Sequence, residues 1–489
     1  MDTNERASIK KGVALSLMIT SVVLVLMMTF GVIMLLNQGK IISIPAQLFY
    51  KLMTVHGTGM IGIASLGGSA ILWYFLSKYV RLNADILFAN LIFSIVGVLM
   101  ILVGIFVFNF SDGWTFLYPL PSFSAKLNGN TGALLFLFGL LSVGIGYLVM
   151  YFYLAARLIK EYGGLGKALG WDYIFRGKKG YGPPSAVVAT AMVIIANSVG
   201  ILAGATALLE SILNIINPNI TFDTMAAKQL TYAFGHIFAN CTIYMAVIAV
   251  YEVLAEYTGR PWKSNKVFLI AWNFSTLFTL MIYTHHLLMD YSVPKWMLIL
   301  GEIFSYANGL PVMVVTAYGA LMIVHKSSIK WDFASGMFFI SMFGWVAGAV
   351  PAIIDATIVV NHVMHNTKWV PGHFHTYMGM GVVAMIFGFM YYFNKTEGSE
   401  AQKETGFDKY AIFTYFFFFT GLVGSFLYAG KIGAPRRWAE HLPLWTGSDQ
   451  LGALCGTFIV IAAIIFTVRF FIGLSKVGKQ SVSEINKAS

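Results

Sequence analysis

The sequence predicts an all-α polytopic membrane protein with twelve transmembrane helices. Three observations lead there: a charge deficit, a series of long apolar runs, and joints that gather the basic residues. Of the 489 residues, 58% are hydrophobic and 11% charged, with a mean hydropathy of +0.74. Soluble domains carry roughly 45–50% apolar and about 25% charged residues, so most of this surface must face lipid. The net charge of +11 is therefore not a nucleic-acid footprint. Its Lys and Arg lie in short joints between apolar runs, as expected where cytoplasmic loops retain them.

Apolar runs of about 20 residues, enough to cross a bilayer core, lie near 12–37, 52–77, 86–109, 132–158, 185–212, 229–255, 266–289, 297–324, 333–358, 370–394, 410–429 and 450–474. The first is long enough to be a retained span rather than a cleaved signal. Turn and charge signals separate the runs, among them Lys178-Lys179-Gly180, Asn217-Pro218-Asn219 and the segment Lys395–Lys409. Residues 1–489 read as a single twelve-helix domain with a polar tail at 475–489, and no stretch is left for a soluble domain. With a cytoplasmic N-terminus, most of the 32 Lys and Arg fall on the inner side, from Lys10 and Lys11 through Lys178 and Lys179 to Lys476 and Lys479. Both termini are thus expected in the cytoplasm. Cys241 and Cys455 lie inside apolar runs and imply no disulfide framework.

Six of the ten histidines ask for a metal. A histidine within a span is costly unless partnered, and imidazole suits iron and copper. Any single one is as readily a hydrogen bond between helices, so the set is judged together. His56 lies on span 2, His236 about two turns into span 6, His285 and His286 at the end of span 7, and His373 and His375 at the start of span 10. Each is within roughly 10 residues, or about 15 Å, of the outer boundary. Four helices thus deliver six imidazoles to one layer. His373 and His375 point about 200° apart on a helix, which suits two separate irons on opposite faces of span 10. His285 and His286 reach one ion if the helix bends locally, and with His236 they make a copper site with open coordination for a small gas. No Cys-x-x-Cys-His segment exists, so any haem is held noncovalently.

These residues resemble subunit I of the haem–copper oxidase superfamily, which includes cytochrome c oxidases and the related nitric oxide reductases. The likeness covers all twelve helices and rests on Gly235-His236, His285-His286 and His373-Phe374-His375, in order and spacing. It implies that His56 and His375 are axial ligands of a low-spin haem and that His373 is the ligand of a high-spin haem. It also implies that His236, His285 and His286 hold copper B. Gly113-Trp114-Thr115 with Tyr118-Pro119 resembles the family's segment after span 3, and Trp114 is counted with the cofactor-binding residues. Pro435-Arg436-Arg437 resembles the arginine pair that holds haem propionates, a role that two guanidiniums beside carboxylates can fill. His365-Asn366-Thr367 stands where many members have His-Asp-Thr beside a magnesium or manganese ion, and Asn366 removes the carboxylate.

The departures bear on the substrate. Main-type oxidases of the family carry Tyr four residues after the first copper histidine, and familiar nitric oxide reductases carry Glu. This chain has Asn240, an amide that supplies neither an electron nor an acidic proton. Another branch moves the tyrosine to the position of Thr279; Tyr283 is nearby, either a displaced redox phenol or an aromatic wall. Val315 stands where many members have Lys, and Phe238 where they have Glu. Thr276, Thr279 and Tyr283 on span 7, and Ser305, Asn308 and Thr316 on span 8, form polar stripes that suit a proton path or interhelical hydrogen bonds. Glu210, Glu252, Glu302 and Asp355 are acids in apolar spans without an assigned role.

Reducing O2 takes four electrons, whereas two molecules of NO need two, which one iron and one copper can supply. Asn240 therefore favours reduction of nitric oxide to N2O, with O2 reduction to water as the alternative. The resemblance also implies a second subunit with an electron-entry domain and a donor such as cytochrome c. It leaves the haem type open, b-type included. A twelve-span transporter with a histidine relay is a remote alternative, and it would carry no haem colour.

Overall fold

The computed structural model describes residues 3–290, 293–398 and 406–488. The middle of the expected joint Lys395–Lys409 and the end residue Ser489 lie outside the described residues. Twelve helices are long and apolar enough to cross a membrane: Thr3–Gln38, Ala46–Leu76, Ala84–Phe106, Asn130–Tyr162, Ser185–Ile216, Thr224–Thr258, Lys266–Leu287, Lys295–Val324, Phe333–Ala356, Trp369–Glu397, Asp408–Lys431 and Pro443–Ser475. They are called spans 1 to 12 below. The last helix runs on to Ala488, so the segment expected as a tail continues the helix of span 12. Among the described residues the one β-type contact is an isolated antiparallel bridge between Thr367 and Pro435.

Polar residues set where several spans begin. Asn83, Asp223 and Asn265 accept the backbone N–H of Asp85, Ala226 and Phe268, at 2.9, 2.7 and 2.9 Å. Asp332 and Ser335 form a reciprocal capping box at span 9. Each oxygen satisfies an N–H that the first helical turn leaves free. Gly163 and Gly259 end spans 4 and 6 in the left-handed conformation, at φ of 76° and 63°.

Burial sorts the spans into a centre and a rim. In spans 6 and 10 the apolar window is 89% buried and in span 2 it is 78%, against 33% in spans 1 and 3. The central three carry His56, His236, His373 and His375. Small residues let neighbouring backbones touch: a Cβ at Gly97 of span 3 would collide with the carbonyl oxygen of Gly139 on span 4.

The two ends of the bundle are built differently. Towards the face where span 1 begins and span 12 ends, spans 2 and 10 interlock through Tyr74, Phe75, Phe389, Tyr392 and Phe393. Phenols there donate to carboxylates: Tyr74 to Glu397 at 2.7 Å, Tyr392 to Glu256 at 2.6 Å, Tyr257 to Asp332 at 2.7 Å and Tyr79 to Glu252 at 2.9 Å. Glu252 is thereby accounted for as a partner of Tyr79. At the other end of the bundle, Glu302 accepts from Tyr306 at 2.8 Å and from the backbone of Ile358 at 3.4 Å, pinning the short helix Ile358–Met364. That end, where spans 2, 6 and 10 begin, also holds the histidines.

Candidate metal centre

Span 7 does not cross as one regular helix. It is α-helical from Lys266 to Thr279 and resumes as a 3₁₀ turn from Ile282 to Leu287. The tighter turn supplies the local bend that two adjacent histidines need to share an ion. The ring centres of His285 and His286 are 4.4 Å apart, and that of His236 lies 4.4 Å from the first and 5.0 Å from the second. One nitrogen from each of the three falls within 4.8 Å of the other two, and the Nε2 atoms of His236 and His285 are 2.8 Å apart. A metal about 2 Å from each nitrogen fits that spacing. His236 lies twelve residues, rather than about two turns, into its helix, because span 6 starts at Thr224.

A neighbouring span fixes the tautomer. Ser305 donates its hydroxyl proton to the carbonyl of Gly301 at 2.6 Å, and its oxygen lies 2.9 Å from His285 Nδ1. The oxygen must therefore accept from Nδ1–H, which leaves the Nε2 lone pair free for a metal. His286 stacks on Tyr232 at 4.4 Å and 12°, and meets the edge of His365 at 6.1 Å.

Span 10 is also broken, and for a similar end. An α-helical start, Trp369–His375, passes into a π-helical stretch at Thr376–Val383 before the α-helix resumes at Ala384. The widened turn follows directly on the two histidines. His375 Nδ1 is 2.7 Å from the carbonyl of Pro371, and His56 Nδ1 is 2.7 Å from that of Met27. A carbonyl can only accept, so both rings carry the proton on Nδ1 and keep Nε2 available. Their planes differ by 14° and their centres are 6.2 Å apart. Two imidazoles bound axially to one iron, with bonds of about 2 Å, need about 6 Å between ring centres, so the pair fits one haem iron.

All six histidines line one cavity of about 580 Å³, together with Trp114, Asn240, Arg436 and Arg437. Six buried polar atoms around it lack partners: Oδ2 of Asp112, Nδ1 of His236, Nδ1 of His373, Nδ2 of Asn240, Oδ1 of Asp355 and Nε of Arg436. Native interiors leave few such atoms, and this concentration on one cavity suits a polar cofactor. Arg436 makes the strongest case. Burial, and then the charge of Arg437, push its pKa down to about 10, so it is a buried cation at neutral pH that calls for an anion such as a haem carboxylate. Its loop is held by the backbone: Lys368 N–H donates to Ala434 at 2.8 Å and Arg436 N–H to Asn366 at 3.1 Å. Burial and the nearby Arg436 push the His365 imidazole down to about 3, keeping it neutral. Trp114 closes one wall so tightly that a Cβ on Gly57, next to His56, would lie 2.7 Å from its ring.

Not every expected residue arrives. Tyr283 is half-buried and is not among the residues lining the cavity. The expected stripe extended the α-helix past Thr279, and that helix stops there. Thr276 donates to its own helix, to Trp272 O at 2.8 Å, and Thr279 donates to Asn308 Oδ1 of span 8 at 2.9 Å. Sequence reasoning missed Tyr244, which lines the cavity from span 6. Its spacing of eight residues from His236 and four from Asn240 was the available signal. Lys368, also missed, lines the cavity and pairs with Asp449, while Asp449 accepts from His441 at 2.6 Å.

Comparisons with known proteins agree with this geometry. The cytochrome c oxidase subunit 1 of Bacillus subtilis is 24% identical over 444 residues, covering 86% of this chain and 67% of that protein. The cytochrome c oxidase subunit 1 of Thermus thermophilus is 23% identical over 288 residues, covering 54% of this chain and 50% of its relative. The quinol oxidase subunit 1 of Sulfolobus acidocaldarius is 24% identical, covering 67% of this chain and 62% of that one. The matches thus span about half to two thirds of the length of these relatives. A solved haem–copper terminal oxidase dimer shares the fold, with a TM-score of 0.75 at 22% identity over 95% of this chain and 84% of that chain. Residues 12–468 match the family described as cytochrome c and quinol oxidase polypeptide I. The chain therefore belongs to that family, the haem- and copper-binding subunit I of membrane oxidoreductases.

Proposed function

We propose that this chain is the catalytic subunit of a respiratory terminal reductase that converts nitric oxide to N2O. The observation that carries the reading is Asn240, which lines the cavity one turn from His236 with its amide nitrogen unpartnered. An amide can donate a hydrogen bond to a bound gas but cannot add the further electron that O–O cleavage requires. His56 and His375 would hold a low-spin haem, His373 a high-spin haem, and His236, His285 and His286 copper B. Arg436 and Arg437 would bind the haem carboxylates, with Trp114 as a wall. The haems and copper, when bound, supply the electron transfer and the open coordination for the gas. The protein's part is to fix the imidazole tautomers through Ser305, Pro371 and Met27, and to keep the cavity between apolar helices. Both termini would face the cytoplasm, with electrons entering from the other side through a second subunit fed by cytochrome c or a similar donor.

O2 reduction to water is the second reading, favoured by the oxidase names of the relatives. The test is gas-specific turnover by the purified complex with reduced cytochrome c. N2O formation from NO is expected, and rapid O2 consumption without N2O would sink the first reading in favour of the second.

A further inference from the structure

The joint before span 10 carries a charge that the metal ligands do not use. Lys368 stands just ahead of Trp369, and its side chain is 4% exposed. Its ammonium meets three groups, and each of them attracts a cation. Asp449 of span 12 pairs with it, and Gln38 Oε1 of span 1 accepts from it at 2.8 Å. The ring centre of Phe426 on span 11 lies 5.3 Å away. A carboxylate, an amide oxygen and an aromatic face together hold the group as a cation.

Asp449 is shared. Its other oxygen lies 2.6 Å from Nδ1 of His441, whose Nε2 lies 3.1 Å from the carbonyl of Pro435. A carbonyl only accepts, and so does a carboxylate paired with Lys368. Both ring nitrogens of His441 must therefore donate, and the ring carries both protons. The side chains of His441 and Asp449 are 0% and 1% exposed. Two cations against one anion leave one net positive charge in a site closed to solvent.

That charge faces the paired imidazoles. Phe426 stands between them, its ring centre 5.3 Å from Lys368 Nζ and 5.1 Å from the ring centre of His375. The ammonium is thus no more than about 10 Å from that imidazole. Lys368, Phe426, His375 and His56 all line the same cavity. The surroundings keep the cluster in place. Gln38 Nε2 donates to Trp438 O at 2.7 Å and Asn37 Nδ2 to Ala439 O at 2.8 Å, which ties the end of span 1 to the loop that leads to His441. A charge fixed in this way cannot turn aside when the group it faces changes charge.

We infer that Lys368, Asp449 and His441 act together as a fixed positive charge that raises the reduction potential of the low-spin haem site formed by His56 and His375. Reduction adds an electron to that site, and a nearby positive charge in a poorly screened interior favours the reduced form. A unit charge about 10 Å away there changes the equilibrium by roughly tenfold. The three residues act through the haem site and touch no substrate. The inference rests on the reading of His56 and His375 as axial ligands, and it holds for either gas.

The test is a spectroelectrochemical titration of the low-spin haem in the complete complex. Lys368→Met keeps the length of the side chain and removes one positive charge. The reduction equilibrium should move about tenfold towards the oxidised form, or about 59 mV for one electron. Asp449→Asn removes the negative charge and should move it about threefold or more the other way. The low-spin absorption bands should keep their positions in both, because the imidazoles are untouched. Loosened packing would admit water and move both variants in the same direction, so opposite shifts mark a charge effect. A lower potential in both variants, or Lys368→Met within twofold of the unaltered complex, overturns the inference. If Lys368→Met does not assemble, Asp449→Asn decides alone: a raised potential supports the inference, and a lowered or unchanged one overturns it. Absence of a low-spin haem signal from the unaltered complex would overturn the ligand reading instead.

Discussion

The two ends of the bundle solve opposite problems. At the end where span 1 begins, unbroken helices interlock through Phe75, Phe389 and Tyr392, and the phenols of Tyr74 and Tyr392 find carboxylates. Among the described residues that half leaves no large cavity, and its unpartnered atoms, such as Trp73 Nε1 and Asn394 Oδ1, are scattered through the packing. At the histidine end, span 7 tightens into a 3₁₀ turn and span 10 widens into a π-helix, and six buried polar atoms are left without partners around one cavity. A close-packed interior does not tolerate such a space on its own. The difference teaches that helical regularity was given up only where a cofactor completes the packing and the hydrogen bonding.

The sharpest way to break this contrast is to remove a ligand. His373→Ala should abolish turnover and delete the high-spin haem signal from the reduced-minus-oxidised spectrum while leaving the low-spin signal. Loss of neither signal would overturn His373 as a haem ligand. Next comes a support rather than a ligand. Ser305→Ala leaves His285 Nδ1 without its acceptor, and copper affinity should fall by about 10–100-fold, read as copper per haem after dialysis against a chelator. The smallest functional effect is expected at the other end. Phe389→Ala should cost about 3 kcal/mol of packing, seen as a lower inactivation temperature, with haem spectra and copper content unchanged. A spectral change there would show that the two halves are coupled more closely than their packing suggests.

Much of the regular half was legible because a bilayer imposes it. A backbone in hydrocarbon must close its own hydrogen bonds, so twelve apolar runs became twelve helices with ends displaced by a few residues. The metal ligands were legible because imidazole is conspicuous in an apolar span. What sequence periodicity could not carry was the break in the helices themselves. Extending span 7 as an α-helix placed Tyr283 at the site, and the helix stops at Thr279 instead. Tyr244 was not legible because no motif marks a residue two turns from His236, and only the depth of the cavity brings it to the site. Lys368 and Asp449 are 81 residues apart, and no local pattern announces that they meet.

The loop carrying Arg436 and Arg437 lies after all six histidines in the chain, and Lys368 is fastened to Asp449 of span 12 and to Gln38 of span 1. During synthesis the ligands therefore leave the ribosome first and their cover last. Until span 12 emerges, the cavity lacks the clasp that joins the first, tenth and twelfth spans. That interval would leave the cavity open on the side that the finished fold closes.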